Sequence, residues 1–275
     1  AGLAAVVNLG DDDAIDLRNA AVVVALGESG SYFTGGTRSA AWLTLRNALD
    51  EALDYRDHKA DFERGMRRDY SYSVADLEAL QGVINGNTPM IVSVNRASDI
   101  EVLIRFVDEY SVKAVIAGGA EAWMLADELA AADIPVIIDP TANLPGSFDS
   151  INARLGAATL LADAGVKVAI GDGSSHNARN LTQAAGNAVA HGLDWEAALR
   201  AITLAPAEIF GMAAMTGSLE VGKAADVVIW PGDPLELTNF PEQVYINGEK
   251  IPMVSRQTLL RDRYLETEGP PAYRR

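Results

Sequence analysis

The sequence contains no cysteine. Disulfides, iron–sulfur clusters, thiolate zinc sites and cysteine nucleophiles are therefore excluded, and the redox compartment stays open. Histidine is scarce: His58, His176 and His191 are the only three. A multi-histidine metal site cannot be built from them unless they converge in space. Basic residues are outnumbered, with 22 lysines and arginines against 38 acidic residues and a formal net charge of −16. That balance repels nucleic-acid phosphates and anionic membrane surfaces, so neither nucleic acid nor membrane is expected as a partner. Apolar runs reach only about seven residues, as in Ala20 to Leu26, against the ~20 that span a bilayer. What is present is a globular composition: 275 residues, 49% of them hydrophobic, enough for one large domain or two smaller ones.

Short apolar runs alternate with amphipathic stretches. Ala4 to Leu9, Ala20 to Leu26, Met90 to Val94, Lys113 to Ala117, Pro135 to Ile138 and Val166 to Ile170 read as buried strands. Continuous runs of this kind mark parallel strands covered on both faces. Between them, Trp42, Leu45, Leu49 and Leu53 recur at helical spacing, as do Ile100, Leu103, Ile104 and Val107. Ser98 and Glu101 are spaced as a capping box. Further helices are expected from Glu121 to Ala132, from Ser150 to Ala164 ending at Gly165, and from Ala178 to His191 ending at Gly192. Asp194 is placed to cap another, through Ile202. Strand–helix alternation in units of about 20 to 30 residues means a parallel α/β architecture, barrel or doubly wound. After about Phe210 the chain turns to antiparallel β, with Asn247-Gly248 as a hairpin signal. No internal repeat or low-complexity segment interrupts this order.

Several segments invite chemistry. Asp11-Asp12-Asp13 reads as a solvated acidic loop rather than a cation site. Ala25 to Ser31 is glycine-rich and follows a strand, but it lacks the phosphate-loop lysine and the G-x-G-x-x-G spacing, and no helix is expected directly after it. His191 at a helix end and His58 in Asp57-His58-Lys59 read as structural. Gly171-Asp172-Gly173-Ser174-Ser175-His176-Asn177 is the most suggestive segment. It follows a buried strand, where a barrel places its catalytic groups. Asp172 there can bind a divalent metal or take a proton from metal-bound water, with His176 within reach. The plainer alternative is that Asp172 and Ser174 satisfy the loop and cap the helix.

The segment Ala198 to Gly211, with Thr203-Leu204-Ala205-Pro206-Ala207 at its centre, is followed by Gly217-Ser218-Leu219-Glu220-Val221-Gly222-Lys223-Ala224-Ala225-Asp226. Together they resemble the closing signature of the amidohydrolase superfamily in its imidazolonepropionase-like branch, T-x-x-P-A-x-x-x-G and then G-S-L-x-x-G-K-x-A-D. The resemblance covers most of the chain, the C-terminal two-thirds above all. It implies a (β/α)8 barrel joined to a small β-sandwich and hydrolysis of amide or cyclic amide C–N bonds by metal-activated water. It also implies a ligand set: His-x-His after strand one, a lysine or glutamate in some members after strand four, histidines after strands five and six, and an aspartate after strand eight. The sequence has no His-x-His. The strand-five position falls in Ser93-Val94-Asn95-Arg96 and the strand-six position in Ala117-Gly118-Gly119-Ala120-Glu121, so Asp172 is the single surviving ligand.

The expected architecture is therefore α/β: a partial (β/α)8 TIM-type barrel over 1–215 lacking its first strand or strands, with about six barrel strands. The C-terminal strands of a small β-sandwich would occupy 216–254 and a surface arm 255–275. Asp172 and His176 are the candidate catalytic residues; Asn95, Arg96 and Asn177 are candidates for binding substrate. Ser93, Asn95, Gly118 and Gly119 should line the mouth where ligands normally stand. One divalent metal, zinc, is implied if a missing segment supplies its other ligands, and no cofactor otherwise. The expected partners are a small-molecule substrate or ligand and a complementing N-terminal polypeptide or like subunit. That second partner would cover Val227, Ile229 and Val244 to Ile246. A catalytically degenerate binding or scaffolding subunit is the alternative reading. The start at Ala1 fits a processed precursor, which favours a periplasmic or secreted location over the cytoplasm.

Overall fold

In the computed structural model, residues 2–10, 15–171 and 175–265 are described, with the side chains of 175 and 177 left aside. Six strands form one curled sheet in sequential order: β1 (Gly2–Val7), β2 (Ile15–Ala25), β3 (Met90–Val94), β4 (Ala114–Gly118), β5 (Val136–Ile138) and β6 (Val168–Ile170). Strands β2 to β6 run parallel. The parallel α/β order expected from the alternation and the partial barrel implied by the family resemblance are thus present, with one correction. β1 is antiparallel to β2, pairing Leu3 with Val22 and Val6 with Leu17. It has no buried residue, so it is a hairpin arm rather than a barrel strand covered on both faces. Among the described residues the barrel sheet thus holds five parallel strands, β2 to β6, where about six were expected.

Four helices lie between β2 and β3: α1 (Gly27–Ser31), α2 (Arg38–Glu63) and the short pair α3 (Val74–Ala79) and α4 (Gln81–Ile84). The glycine-rich segment after β2 is thus itself a helical turn, where no helix was expected. Helix α5 (Ala97–Tyr110) joins β3 to β4, α6 (Ala126–Ala131) joins β4 to β5 through a 3₁₀ turn at Ala122–Leu125, and α7 (Ala157–Asp163) joins β5 to β6. Helices α8 (Leu181–Ala190), α9 (Trp195–Ala201) and α10 (Leu204–Ile209) follow.

Alternation along the strands sorts the two sheet faces. Met90, Val92 and Val94 of β3 are buried, and Ile91 and Ser93 between them are half-buried. The buried set packs with Leu45 and Leu49 of α2 and with Ile100, Leu103 and Phe106 of α5 in one core. Burial of each such large side chain contributes roughly 1.5–3 kcal/mol.

Local signals place several helix ends. Asp194 Oδ1 accepts from Glu196 N (2.9 Å) and Ala197 N (3.1 Å), capping α9 as expected. Gly165 and Gly192 close α7 and α8 with φ of +88° and +105°. Two expectations fail. The helix read from Ser150 begins only at Ala157, after a 3₁₀ turn at Phe148–Ser150 and a loop. The capping box at Ser98 and Glu101 does not form, because α5 starts at Ala97 and has no side-chain cap from its own N-cap residue, Arg96.

A second sheet, β7 (Val227–Ile229), β8 (Gln243–Ile246) and β9 (Glu249–Ile251), is antiparallel. Asn247 (φ +51°) and Gly248 (φ +80°) form its turn, both in the left-handed region that a two-residue hairpin requires. No residue in its three strands is fully buried; Val228 and Ile229 are each 45% exposed. Helix α11 (Arg256–Leu265) follows and has no buried residue. Among the described residues, no helix is long and apolar enough to cross a membrane.

Candidate functional site at the carboxyl ends of the parallel strands

The loops that leave the carboxyl ends of β2, β3, β4 and β5 meet over one end of the half-barrel. Two buried aspartates mark the meeting point. Asp99, in the first turn of α5, is 7% exposed; Asp149, in the 3₁₀ turn between β5 and α7, is 9% exposed. Both face Gly27, the first residue of α1, two residues past the end of β2. A Cβ built on Gly27 would lie 3.4 Å from Asp99 Oδ2 and 3.5 Å from Asp149 Oδ2. Gly27 has φ of +64°, a conformation that disfavours a side chain.

Arg38, at the start of α2, enters the same cluster. Its Nη1 donates to Asp99 Oδ2 at 3.2 Å and stands 4.0 Å from Asp149 Oδ1; its Nη2 is 3.8 Å from Glu28. One guanidinium is thus shared among three carboxylates. Asp149 Oδ1 is left buried without a hydrogen-bond partner. Burial pushes the Asp149 carboxyl above the usual carboxylate range, and the charge of Asp99 pushes it further. Arg38, a hydrogen bond with Asn95 and the charge of Arg96 pull the other way.

Two of the residues expected from the sequence belong here. Asn95, just past β3, accepts from Ala120 N at 3.3 Å. Its Oδ1 occupies the space beside Gly118, where a Cβ would come within 2.6 Å of it; Gly118 has φ of +96°. Arg96 is half-buried; its backbone carbonyl accepts from Asp99 N and Ile100 N, both at 3.0 Å, while its side chain has no hydrogen-bond or ion-pair partner among the described residues, though its charge reaches Asp149. His176 is exposed in the 3₁₀ turn Ser175–Asn180 that follows β6. Asp172 and the side chain of Asn177 lie outside the described residues.

Glu121, after β4, is the most buried of the mouth's carboxylates at 2% exposure. Its Oε2 accepts from Ala97 N (2.9 Å), and its Oε1 accepts from Asn152 N (3.0 Å) and Asn152 Nδ2 (3.1 Å). Its own backbone N–H donates to Asn95 O at 2.9 Å. The cap that the Ser98–Glu101 spacing was expected to supply to α5 therefore comes from another loop. Arg38, Asp99, Glu121 and Asp149 were all missed by sequence reasoning. For the three acids the one available signal is a place in a loop or turn after a strand, which does not single them out among the chain's 38 acidic residues, and Arg38 carries no local signal.

The donor set does not by itself fit a divalent metal. At the expected ligand positions stand Ser93 and Asn95 after β3, and Gly118 and Gly119 after β4. The Asn95 oxygen is already engaged by Ala120 N, and neutral amide and hydroxyl oxygens bind zinc far more weakly than imidazole. Among the described residues, no group of three histidine, aspartate or glutamate side chains is arranged to hold an ion. What the arrangement can do is bind polar substrate groups and hold or release a proton at Asp149.

Comparison with known proteins converges on one family. The sequence model of the Amidohydrolase family matches residues 48–251. Amidohydrolase tasK of Hapsidospora irregularis is 36% identical over 93 residues, 34% of this chain and 10% of that protein. The match thus takes in about a tenth of that relative's length. The crystal structure of an amidohydrolase from Thermotoga maritima MSB8 superposes with a TM-score of 0.81 at 26% identity, covering 91% of this chain and 68% of that one.

Proposed function

Because this chain belongs to the amidohydrolase family, we propose that it supplies the substrate-binding and proton-handling wall of a hydrolase that cleaves amide or cyclic amide C–N bonds. The observation that carries this reading is the convergence of Asn95, Arg96, Arg38, Asp99 and Asp149 at the carboxyl ends of the parallel strands, where barrel enzymes hold their chemistry.

The roles follow from the chemistry of each group. The half-buried guanidinium of Arg96, which has no ion-pair partner among the described residues, holds a carbonyl or carboxylate oxygen of the substrate. Asn95 orients the substrate from the β3 side of the mouth, and Asn177 is a second candidate for that role. Asp172, assisted by His176, takes the proton of the attacking water as its oxygen bonds to the carbonyl carbon. Asp149 holds a proton in its buried site and delivers it to the leaving nitrogen, which takes the electron pair of the broken C–N bond. Asp172 then returns its proton to solvent and Asp149 regains one.

The family resemblance implies a divalent metal, zinc, at such a site. The described residues do not form its ligand set, so ligands beyond Asp172 would come from a complementing polypeptide that carries His-x-His and the remaining barrel strands. The open edges at β1 and β6 support that arrangement, since unpaired strand edges invite pairing.

The test combines metal analysis with a hydrolysis assay over N-acyl amino acids and cyclic amides, run with and without added zinc and a histidine-bearing complement. Amine release that needs both additions is the expected result. Tight binding of such compounds by the complemented, zinc-loaded protein with no amine released would overturn it. That outcome would establish the second reading, a binding or scaffolding subunit, which the lack of three ligating side chains among the described residues favours.

A further inference from the structure

Glu121 is a buried carboxylate whose hydrogen bonds come entirely from uncharged N–H donors: Ala97 N, Asn152 N and Asn152 Nδ2. Among the described residues, no lysine or arginine pairs with it. Burying a carboxylate is costly unless its oxygens are satisfied, and removing a partner exposes that cost. An apolar side chain would serve a loop of ordinary packing better.

The two oxygens of Glu121 reach two different loops. Oε2 holds Ala97, two residues before Asp99; Oε1 holds Asn152, three residues after Asp149. The two carboxylates that meet at Gly27 are therefore suspended from one side chain. Resting on the hydrolase reading above, we infer that Glu121 is the positioning residue of the mouth: through Ala97 and Asn152 it sets how Asp99 and Asp149 face each other and Gly27.

The groups that face Asp149 are Arg38 from α2, with Glu28 on its far side, and Asn95, Arg96 and Asp99 from the β3–α5 junction. Loosening the Asn152 arm lets solvent reach Asp149 and moves it away from Asp99. Both changes ease ionisation of Asp149. A role confined to stability would lower the melting temperature and leave the titration of Asp149 where it was.

The experiment is carboxyl-carbon NMR titration of Asp149 in the full chain, for wild type and Glu121→Gln, with circular dichroism as the check of folding. In Glu121→Gln one carboxylate oxygen becomes an NH₂ group that cannot accept. The Asp149 titration is expected to move to lower pH. Where hydrolysis is measured, the high-pH limb of kcat/KM should move the same way, with a loss of roughly 100-fold, the scale of a misplaced reacting group. Should Glu121→Gln fail to fold, Asn152→Ala removes only the 3.1 Å side-chain bond and is expected to shift the titration in the same direction by less. A folded variant of either kind with the Asp149 titration unmoved overturns the inference. The titration needs no turnover. Movement without any hydrolysis therefore keeps the positioning role and removes the hydrolase reading; hydrolysis without movement does the reverse.

Discussion

Asp226 Oδ1 accepts the backbone N–H of Asn247 at 2.9 Å, so the last residue of the G-S-L-x-x-G-K-x-A-D segment holds the first residue of the β8–β9 turn. Gly248 N donates to Ala225 O beside it at 3.0 Å. The segment's terminal acid is thereby explained by a backbone donor that the left-handed Asn247 would otherwise leave unpaired. Replacing it, Asp226→Ala, should cost about 1 kcal/mol, the net worth of one such bond. Hydrogen exchange will read this as lost protection at Asn247 and the β8–β9 amides, with the parallel sheet unchanged.

Asp149 titrates above the usual carboxylate range because it is buried. Between its unfolded and folded values the native state binds more protons than the unfolded chain. Stability from this group is therefore present at low pH and falls as pH rises through the folded value. Asp149→Asn removes that loss. Thermal denaturation from pH 4 to pH 8 should show the variant melting higher than wild type at neutral pH, with the difference shrinking toward acid.

Asp54 behaves in the opposite sense. It accepts from Tyr70 Oη at 2.7 Å and pairs with Arg67, and these hydrogen bonds, Arg67's first, hold its carboxyl below the usual range. Its stabilising contribution is present above the unfolded value and is lost as pH falls through the folded one. Asp54 is more than a third exposed, so solvent screening limits the effect to the ~0.2–1 kcal/mol of exposed pairs. Asp54→Asn should lower the melting temperature at neutral pH by a correspondingly small step, and the gap should close under acid.

Gly217 has φ of +93°, and a Cβ there would stand 2.8 Å from Ala207 Cβ and 3.1 Å from Leu204 Cα and Thr203 O. The position packs the start of the signature's second half directly on its first. Gly217→Ala combines backbone strain with overlap against the chain and should cost at least about 1–3 kcal/mol. Chemical denaturation should show a lower midpoint, and Gly222→Ala, strained but with open space around it, should cost less.

The apolar runs, the Asp194 cap, the glycines that end α7 and α8 and the Asn247-Gly248 turn were all legible in the sequence, because each depends on residues within a few positions of one another. Asn95 and Arg96 were named through the family resemblance, at the position it implies after a strand, and the structure sets them just past β3. The direction of β1 was not legible, since its run of small apolar residues suits either pairing and only the short link to β2 makes it a hairpin. Nor was the cluster at Gly27. Arg38 meets Asp99 across 61 residues, and Glu121 meets Asn152 across 31. No periodicity connects such partners. Among 38 acidic residues, burial selects Asp99, Glu121 and Asp149, and burial is a property of the packed loops. The sequence by itself determined the strands, the helices and the family signature, because these rest on local spacing. The tertiary structure alone decided which carboxylates meet, what caps α5 and where a proton is held, because those depend on contacts between loops that only the curled sheet brings together.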